Sequence, residues 1–466
     1  MEKIKSSLRD SKSVRWLVLV LVSVTMLCSY YLTDSLAPLE QRLEAKLAWD
    51  AVDYGLFSSG YGWFNVFLLM LIFCGLFLDK VGVRIAGVTS IVIMLVGAGI
   101  KYWAVTGHVS GDPMTVNILG WELFTAKKSA IIAGLGFGVF GVGSELFGIS
   151  ANKAVIRWFR GKEMALAIGL NTSTGRIGTA LAMFTPIPLV KLTGDVGAPV
   201  LFSILLLCIA LLVFFLFIFF DKKLDKEEQE QGVIQEEEFK FSDIVKVVKI
   251  RAFWYLTILC LLFYSAVFPF IKYATNLIVQ KFDVSDEFAG YIPALLPFGS
   301  LLLTPLFGSV YDKKGKGATI MIIGSVLLLF VHLLFSIPSL NSLYVAITLV
   351  VLLGVAFSMV PSAMWPSVAK IIPENRLGTA YALTFWVQNW GIMLVPMLIG
   401  YVLAEYCVIE KVEKMIDGQL VSVSLYNYTL PMLIFACFGL LSIIFAYLLK
   451  KEDRKKGYGL ENPNEK

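Results

Sequence analysis

The sequence predicts an all-α membrane protein with twelve transmembrane helices in two pseudo-symmetric six-helix halves. Of its 466 residues, 57% are hydrophobic and only 16% are charged, and the mean hydropathy is +0.76. This composition lies far outside the range of soluble domains. About twelve apolar segments reach the roughly 20 residues that a helix needs to cross a bilayer. A short charged phrase also occurs twice, once in each half of the chain.

The apolar segments alternate with charged loops, and the loops differ in charge. About 29 Lys and Arg residues lie in loops on the side shared by both termini and about 8 on the other side, so the positive-inside rule predicts cytoplasmic termini. The first segment runs on to Asp34 without a small-residue cleavage site, which indicates a retained span. The segments lie near 14–36, 54–78, 84–106, 129–151, 163–190, 198–220, 251–280, 288–311, 317–337, 343–368, 377–404 and 428–449.

The repeated phrase reads Gly75-Leu-Phe-Leu-Asp79-Lys80-Val-Gly82-Val-Arg84 and Gly308-Ser-Val-Tyr-Asp312-Lys313-Lys314-Gly315-Lys316. Each copy lies between long apolar runs, so each predicts a tight turn between membrane helices. The phrase resembles the loop 2-3 signature of the major facilitator superfamily, which recurs there at loop 8-9. The resemblance implies a transporter built from two six-helix halves. The candidate gating residues are Asp79, Lys80, Arg84, Asp312 and Lys313.

The predicted domains follow the change in composition near the middle of the chain. Residues 1–220 form an N-terminal six-helix bundle and residues 251–449 a C-terminal one, followed by a cytoplasmic tail at 450–466. Residues 221–250 carry charges of both signs and end in an amphipathic stretch near 239–250. This pattern predicts a cytoplasmic linker with a helix lying on the membrane surface.

Several patterns argue against an enzyme. Gly136-Phe-Gly138-Val-Phe-Gly141 matches the dinucleotide fingerprint, but no strand precedes it, and small residues in an apolar span favour close helix packing. The P-loop, zinc-protease and serine-hydrolase motifs do not occur. The cysteines form no close pairs, and neither histidine has a second ligand at helical spacing. We therefore expect no catalysis, cofactor, metal or nucleic-acid partner; the expected partners are the lipid bilayer and a small-molecule substrate.

Three ionisable residues stand out inside apolar spans, where a charge is costly and usually faces a water-filled cavity or a partner. Glu145 lies in the fourth span, Arg176 in the fifth and Lys272 in the seventh. Glu145 and Arg176 are candidates to bind a zwitterion by its two ends. The alternative is a buried ion pair that fixes helix packing. Lys272 is a further candidate to line the cavity and bind the substrate, because it follows Pro269 in a stretch where the helix could unwind. The alternative is that its side chain extends to the membrane interface.

Uncharged polar and aromatic residues in the spans complete the candidate site. Amides at mid-span need polar partners, whereas single aromatic residues are more often packing or interfacial residues. Asn171 precedes Arg176 by slightly more than one helical turn and is included for that reason. The candidates of this class are Asn171, Tyr264, Trp365, Gln388 and Asn389.

Longer stretches resemble one branch of the superfamily more closely. They include Ser29-Tyr30-Tyr31, Gly141-Val-Gly-Ser-Glu145, Gly175-Arg176-Ile-Gly178, Met364-Trp365-Pro366 and Gln388-Asn389. Together they are similar to the lysosomal dipeptide uniporter branch. The resemblance implies that Glu145 and Arg176 engage the charged ends of a dipeptide, with Trp365 among the lining residues. Tyr30, in the first stretch, joins the candidate substrate-binding residues.

The chain departs from this branch at two points. Where Lys272 stands, we expect a small residue in the lysosomal proteins, and a lysine at the position of Thr275. The resemblance also implies a dileucine sorting signal and a glycosylated accessory subunit with a single span. No such signal occurs in 1–15 or 450–466, and nothing in the sequence indicates the subunit. We therefore favour a bacterial inner membrane, with a lysosomal or vacuolar membrane as the alternative.

Three functions remain open at this stage. The first is a dipeptide uniporter that works by rocker-switch alternating access. The second is a proton-coupled symporter of small carboxylates or peptides, because a carboxylate beside an arginine can be a permanent ion or a proton carrier. The third is a non-transporting membrane sensor or assembly protein. The turn phrase in both halves and the lack of a soluble domain favour transport over the third function.

Overall fold

The computed structural model describes residues 8–118, 121–159, 162–231, 241–373 and 376–463. The helices are α1 (Lys12–Asp34), α2 (Glu40–Leu47), α3 (Ala51–Phe67), α4 (Met70–Val105), α5 (Lys128–Trp158), α6 (Met164–Phe184), α7 (Pro186–Thr193), α8 (Ala198–Gln231), α9 (Phe241–Val248), α10 (Arg251–Phe282), α11 (Asp286–Ala289), α12 (Tyr291–Lys314), α13 (Gly317–Ser336), α14 (Leu343–Ile371), α15 (Leu377–Tyr406) and α16 (Thr429–Lys456). Two antiparallel hairpins pair β1 (Pro113–Ile118) with β2 (Trp121–Lys127) and β3 (Val408–Ile416) with β4 (Gln419–Tyr426).

Each of the twelve predicted apolar segments is largely helical, although the second is divided between α3 and α4 and the fifth between α6 and α7. Within the described residues, ten helices are long and apolar enough to cross a membrane by themselves. The difference arises because neither α3, which is shortened where the end of the second span joins α4, nor α6 is among the ten. The membrane-embedded, all-helical core predicted from the sequence is therefore confirmed.

The two copies of the charged phrase have the same backbone geometry at their last glycine. Gly82 has a φ of 77° and Gly315 a φ of 68°, a region that residues with a Cβ atom rarely adopt. Gly82 interrupts the helical geometry of α4, and Gly315 ends α12. The repeat in the sequence is therefore a repeat of one turn in the structure.

The hairpins define one face of the molecule, which we call the hairpin face; the face that carries both termini is the terminal face. The sequence analysis predicts neither hairpin. The strands of β3–β4 are mostly exposed, so their residues show little of the alternation between apolar and polar that marks a half-buried strand. Their contact with α2 and α15 places β3–β4 over the ends of the spans.

Polar contacts between the two halves cluster at the hairpin face. Arg42 Nε lies 3.2 Å from Asp417 Oδ2, and Gln41 Nε2 donates to Asn276 Oδ1 at 2.9 Å. The backbones also approach closely there, because a Cβ atom at Gly400 would lie 2.2 Å from the carbonyl oxygen of Ala51. These contacts close the space between the halves on this side.

The glycine-rich stretch of α5 packs against neighbouring helices. A Cβ atom at Gly136 would lie 2.6 Å from the amide nitrogen of Lys101 on α4, and one at Gly141 would lie 2.4 Å from the carbonyl oxygen of Tyr61 on α3. These distances are too short for any side chain. The dinucleotide-like pattern therefore allows three helices to pack closely, as predicted.

The predicted linker is partly helical. Helix α8 continues beyond residue 220 to Gln231, so the sixth span extends into the segment that the sequence analysis assigned to the linker. Helix α9 coincides with the amphipathic stretch for which we predicted a surface helix. Residues 232–240, which belong to the same predicted linker, lie outside the described residues.

Candidate functional site

The Glu145 side chain lies on α5 and is half-buried, with neutral partners from both halves of the protein. The Tyr61 hydroxyl donates to its Oε1 at 3.0 Å. The side chain of Asn389, on α15, also interacts with this carboxylate. Ser144, the residue before Glu145, contacts α1, where its Oγ lies 2.8 Å from Ser29 Oγ. Glu145 is thus held by hydrogen bonds rather than by a cation.

Arg176, on α6, points its guanidinium at aromatic rings. Its Cζ lies 4.4 Å from the ring centroid of Phe357, 5.6 Å from that of Phe268 and 5.8 Å from that of Tyr30. Ring faces attract a cation without neutralising it, and they leave the planar fork of N–H donors available to a carboxylate. The ring of Tyr30, another candidate residue, therefore lies beside Arg176.

The two charges do not pair with each other. Among the residues that the structure describes, no ion pair within 4.0 Å joins Glu145 to Arg176. The alternative of a buried structural ion pair is therefore not the arrangement observed. An acid and a base on neighbouring helices, each held by uncharged groups, can receive the ammonium and the carboxylate of a zwitterion.

Tyr264 and Trp365 lie together beside Arg176. The Trp365 Nε1 donates to the Tyr264 hydroxyl at 3.1 Å, and the ring of Trp365 stacks on Phe385 with centroids 4.8 Å apart. Tyr264 stacks in turn on Phe268 at 5.0 Å, the ring that also faces Arg176. These aromatic residues form one wall in the C-terminal half, opposite the charged residues of the N-terminal half.

Lys272 differs from both predictions made for it. Its Nζ lies 2.6 Å from Asp34 Oδ1 and donates to the carbonyl oxygen of Thr33 at 2.6 Å, so it neither extends to an interface nor lies free in a cavity. Helix α10 also continues through Pro269. His332 Nε2 contacts the Ala266 carbonyl oxygen at 3.1 Å, in the turn where proline disrupts the regular hydrogen bonds. Lys272 belongs to the closed hairpin face.

Lys101 is a buried cation that the sequence analysis missed. Its side chain is fully buried, and its Nζ donates to the Leu32 carbonyl oxygen at 3.2 Å. It lies 4.6 Å from the ring centroid of Phe137, which Lys272 approaches from 5.4 Å. In the sequence, Lys101 directly precedes two aromatic residues near the end of its span. This is the pattern of side chains that anchor a helix at the membrane interface. The position of Lys101 inside a predicted span was the available signal.

The three amides have different surroundings. Asn171 accepts a hydrogen bond from Ser23 Oγ at 3.0 Å and holds α6 against α1. Gln388 Oε1, on α15, accepts a hydrogen bond from the Cys260 thiol on α10 at 3.6 Å. Both are buried in contacts between helices. Asn389 alone of the three interacts with Glu145, and its Nδ2 also donates to the Phe385 carbonyl oxygen at 3.0 Å.

The candidate gating residues lie at the terminal face. Asp79 pairs with Lys153 at 2.5 Å, which ties the first turn to α5. Arg84 contacts Asp221 at 3.6 Å and also pairs with Asp225, both on α8. Lys80 of the first copy is exposed; in the second copy Asp312 is half-buried and Lys313 is exposed. In the described part of the chain, no cluster of three or more His, Cys, Asp or Glu residues could hold a metal.

Comparison with known sequences agrees with this architecture. The profile of the Major Facilitator Superfamily matches residues 19–396. The lysosomal dipeptide transporter MFSD1 of Homo sapiens is 28% identical over 402 residues, which cover 84% of this chain and 80% of the relative. The inner membrane transport protein YdiN of Escherichia coli is 29% identical over 152 residues, 32% of this chain and 35% of the relative.

Solved structures show the same fold. A bacterial homologue of the human lysosomal transporter Spinster, inward-facing and unoccupied, superposes with a TM-score of 0.69 at 14% identity, over 96% of this chain and 98% of the other. The inward open xylose transporter XylE of Escherichia coli gives 0.65 at 14% identity, over 93% and 95%. The protein is a multi-pass membrane transporter, not an enzyme, and it belongs to the Major Facilitator Superfamily.

Proposed function

We propose that this protein moves dipeptides across the membrane by facilitated diffusion. The observation that carries the proposal is the separation of Glu145 and Arg176. Each charge is held by uncharged neighbours, Tyr61 for the carboxylate and aromatic rings for the guanidinium. An extended dipeptide places its ammonium and its carboxylate only several ångströms apart. Its two ends can therefore meet one acid and one base on adjacent helices.

The aromatic wall supports a site that recognises peptide ends more than side chains. Trp365 is half-buried and Tyr264 is buried, both within a cluster of aromatic rings, and their polar atoms are engaged with each other. Apolar ring surface accepts side chains of different shapes without a fixed set of hydrogen bonds. Broad selectivity among dipeptides follows, with a requirement for both free ends. The relatives named as dipeptide transporters point to the same class of substrate.

We further propose that transport uses rocker-switch alternating access. Cross-half contacts such as Lys272 with Asp34 and Arg42 with Asp417 gather at the hairpin face, so in this conformation the substrate site would communicate with the terminal face. The excess of Lys and Arg on the terminal face assigns it to the cytoplasm. We place the protein in a bacterial inner membrane; a lysosomal or vacuolar membrane is the alternative.

The proposal of uniport rests on the ionisation state of Glu145. A carboxylate that stays ionised carries no proton, and the hydrogen bonds that Tyr61 and Asn389 make to Glu145 favour its ionised form. A proton-coupled cycle would require Glu145 to take up and release a proton in each turnover. The accessory subunit implied by the resemblance plays no part in this scheme.

The test uses the purified full-length protein. In a thermal-shift screen, dipeptides with free ends should raise the unfolding temperature, because a ligand that binds the folded state stabilises it. Free amino acids and small carboxylates are the comparison set. Stabilisation by small carboxylates alone would favour the carboxylate symporter, and no stabilisation by any of the three classes would count against a dipeptide transporter.

Energy coupling needs sealed liposomes that contain the protein and a pH-sensitive dye. Dipeptide added without an imposed gradient should enter with no matching movement of protons. Counterflow of a labelled dipeptide in the same vesicles shows that the protein is active. Acidification that scales with substrate entry, and that Glu145→Gln abolishes while counterflow survives, would overturn the uniporter proposal.

A further inference from the structure

A small cavity of about 10 Å³ lies between the two halves at the hairpin face. Its walls come from both halves: Glu40, Gln41 and Arg42 on one side, Thr275, Asn276 and Asp286 on the other. This volume is near the lower limit for holding one water molecule. Because both halves supply the walls, the cavity exists only while this face is closed.

Buried oxygen atoms without partners surround the cavity. Glu40 is 6% exposed, and within the described part of the chain neither of its carboxylate oxygens has a hydrogen bond of acceptable geometry, although the Asn276 side chain lies beside it. Thr275, at 3% exposure, has an unpaired Oγ1. The buried hydroxyl of Tyr428, near Glu40, is also unpaired.

The charged groups around Glu40 have other partners. Arg42 engages Asp417 at 3.2 Å and Asp286 at 3.9 Å, and Lys414 engages Asp286 at 3.2 Å. Glu44, one turn along α2, adds negative charge and accepts a hydrogen bond from Ser424 at 2.7 Å. On α10, Lys272 is paired with Asp34. The aromatic residues that lie near Glu40 are Tyr54, Tyr273, Tyr426 and Tyr428.

An ionised Glu40 would therefore be a buried charge without a cation, which is among the most costly arrangements in a protein. A neutral carboxylic acid avoids this cost. Its O–H can donate to a neighbouring hydroxyl, and its carbonyl oxygen can accept from another. Opening of the hairpin face would expose the same carboxyl to water and favour the charged form.

We infer that Glu40 is a proton-binding site that closure of the hairpin face creates. The carboxyl holds a proton while the halves are together, and it loses that proton to water as the face opens. Uptake and release occur on the same side of the membrane, so the proton is not transported. Because a proton that binds one state better shifts the equilibrium toward it, acidity on this side favours the closed face.

The inference rests on alternating access but not on the identity of the substrate, so it is tested without dipeptide. Spin labels are placed on the full-length chain, with its native cysteines replaced by serine, through Leu192→Cys and Tyr344→Cys. These exposed positions lie on opposite halves at the hairpin face. The distance between the labels reports opening across pH 5 to 9. The ratio of open to closed protein should rise with pH, by at most tenfold per pH unit for one proton.

Two variants identify the group. Glu40→Gln, which mimics the protonated acid, should stay closed at every pH, whereas Glu44→Gln, the matched control on the same helix, should keep the response. Thr275→Val removes a hydroxyl that can hydrogen-bond the protonated carboxyl, so it should move the midpoint to lower pH. A parent protein whose distances ignore pH, a pH response that persists in Glu40→Gln, or an unmoved midpoint in Thr275→Val would each overturn the inference. If Glu40→Gln does not fold, the midpoint pH measured for Thr275→Val tests the inference by itself.

Discussion

The Lys272 ammonium lies 2.6 Å from Asp34 Oδ1, and this ion pair joins the two halves of the transporter at the hairpin face. Both side chains are largely buried, at 11% and 10% exposure. The pair closes the face just beyond the residues that we assign to the substrate. It accounts for a lysine at this position without giving it a part in binding.

Breaking this pair should weaken the closed state. Asp34→Asn leaves the Lys272 cation buried without a carboxylate, and losses of about 3–5 kcal/mol are typical when one partner of a buried pair is removed. Thermal unfolding and the spin-label distance at the hairpin face measure the loss. Lys272→Met in the Asp34→Asn background should restore most of the stability, because no buried charge remains. Additive losses in the double variant would show that the two residues act independently.

Arg176 should recognise the carboxylate by geometry as well as charge. Arg176→Lys keeps the cation but loses the planar two-pronged donor, so dipeptide counterflow should fall. Amidation of the peptide C-terminus should weaken binding to the parent and change little in Arg176→Ala. Lys451→Ala, which removes an exposed cation near the end of α16, is the control and should behave as the parent. Equal sensitivity of parent and Arg176→Ala to amidation would remove Arg176 from this role.

Gly141 should be intolerant of any side chain. A Cβ atom there would lie 2.4 Å from the Tyr61 carbonyl oxygen, whereas at Gly148, two turns along the same helix, no atom outside the helix lies within 4 Å. Gly141→Ala should destabilise the protein by about 1–3 kcal/mol, as overpacking does. Gly148→Ala should be neutral or slightly stabilising, since alanine favours helix. Equal unfolding temperatures for the two variants would contradict the packing assignment.

Asp79 should act as a latch on the rate of transport rather than on stability. Its pair with Lys153 is partly exposed, and such pairs contribute only about 0–1 kcal/mol. Asp79→Asn should leave the unfolding temperature nearly unchanged. It should alter the transport rate and the accessibility of thiols in the substrate cavity to reagents added on either side of the membrane. If rate and accessibility both match the parent, the gating role predicted for this turn is wrong.

The C-terminal tail should detach in acid. Burial raises the pKa of Glu461, but hydrogen bonds from Thr319 and the charge of Lys450 together bring it below the ordinary value of 4.5. A depressed pKa means that the stabilisation is complete above the ordinary value and lost as pH falls through the folded-state value. Hydrogen exchange at the Gly317 amide, which donates to the Leu460 carbonyl oxygen at 2.9 Å, reports tail docking.

Glu461→Gln should loosen the tail at neutral pH and remove its dependence on acid. Glu452→Gln, a nearby carboxyl on α16, is the control and should leave exchange at Gly317 unchanged. Exchange at Gly317 that is equally protected from pH 7 down to pH 3 in the parent would refute the role of the Glu461 carboxylate.

The sequence by itself determined the membrane-spanning helices, the repeated turn and the two charges of the site. These features follow from local chemistry. An apolar run of about 20 residues forms a spanning helix in lipid. A charge within such a run is costly, so it usually faces a water-filled cavity or a partner. Glu145 and Arg176 could be named for this reason before any helix was placed against another.

Only the tertiary structure decided which partner each polar residue takes. Lys272 pairs with Asp34, more than two hundred residues away in the chain, and Gln388 lies against Cys260. The burial of Lys101 and the orphaned carboxyl of Glu40 also depend on how the helices assemble. A side chain's partner is set by the packing of helices distant in sequence, and hydrophobic periodicity carries no record of that packing.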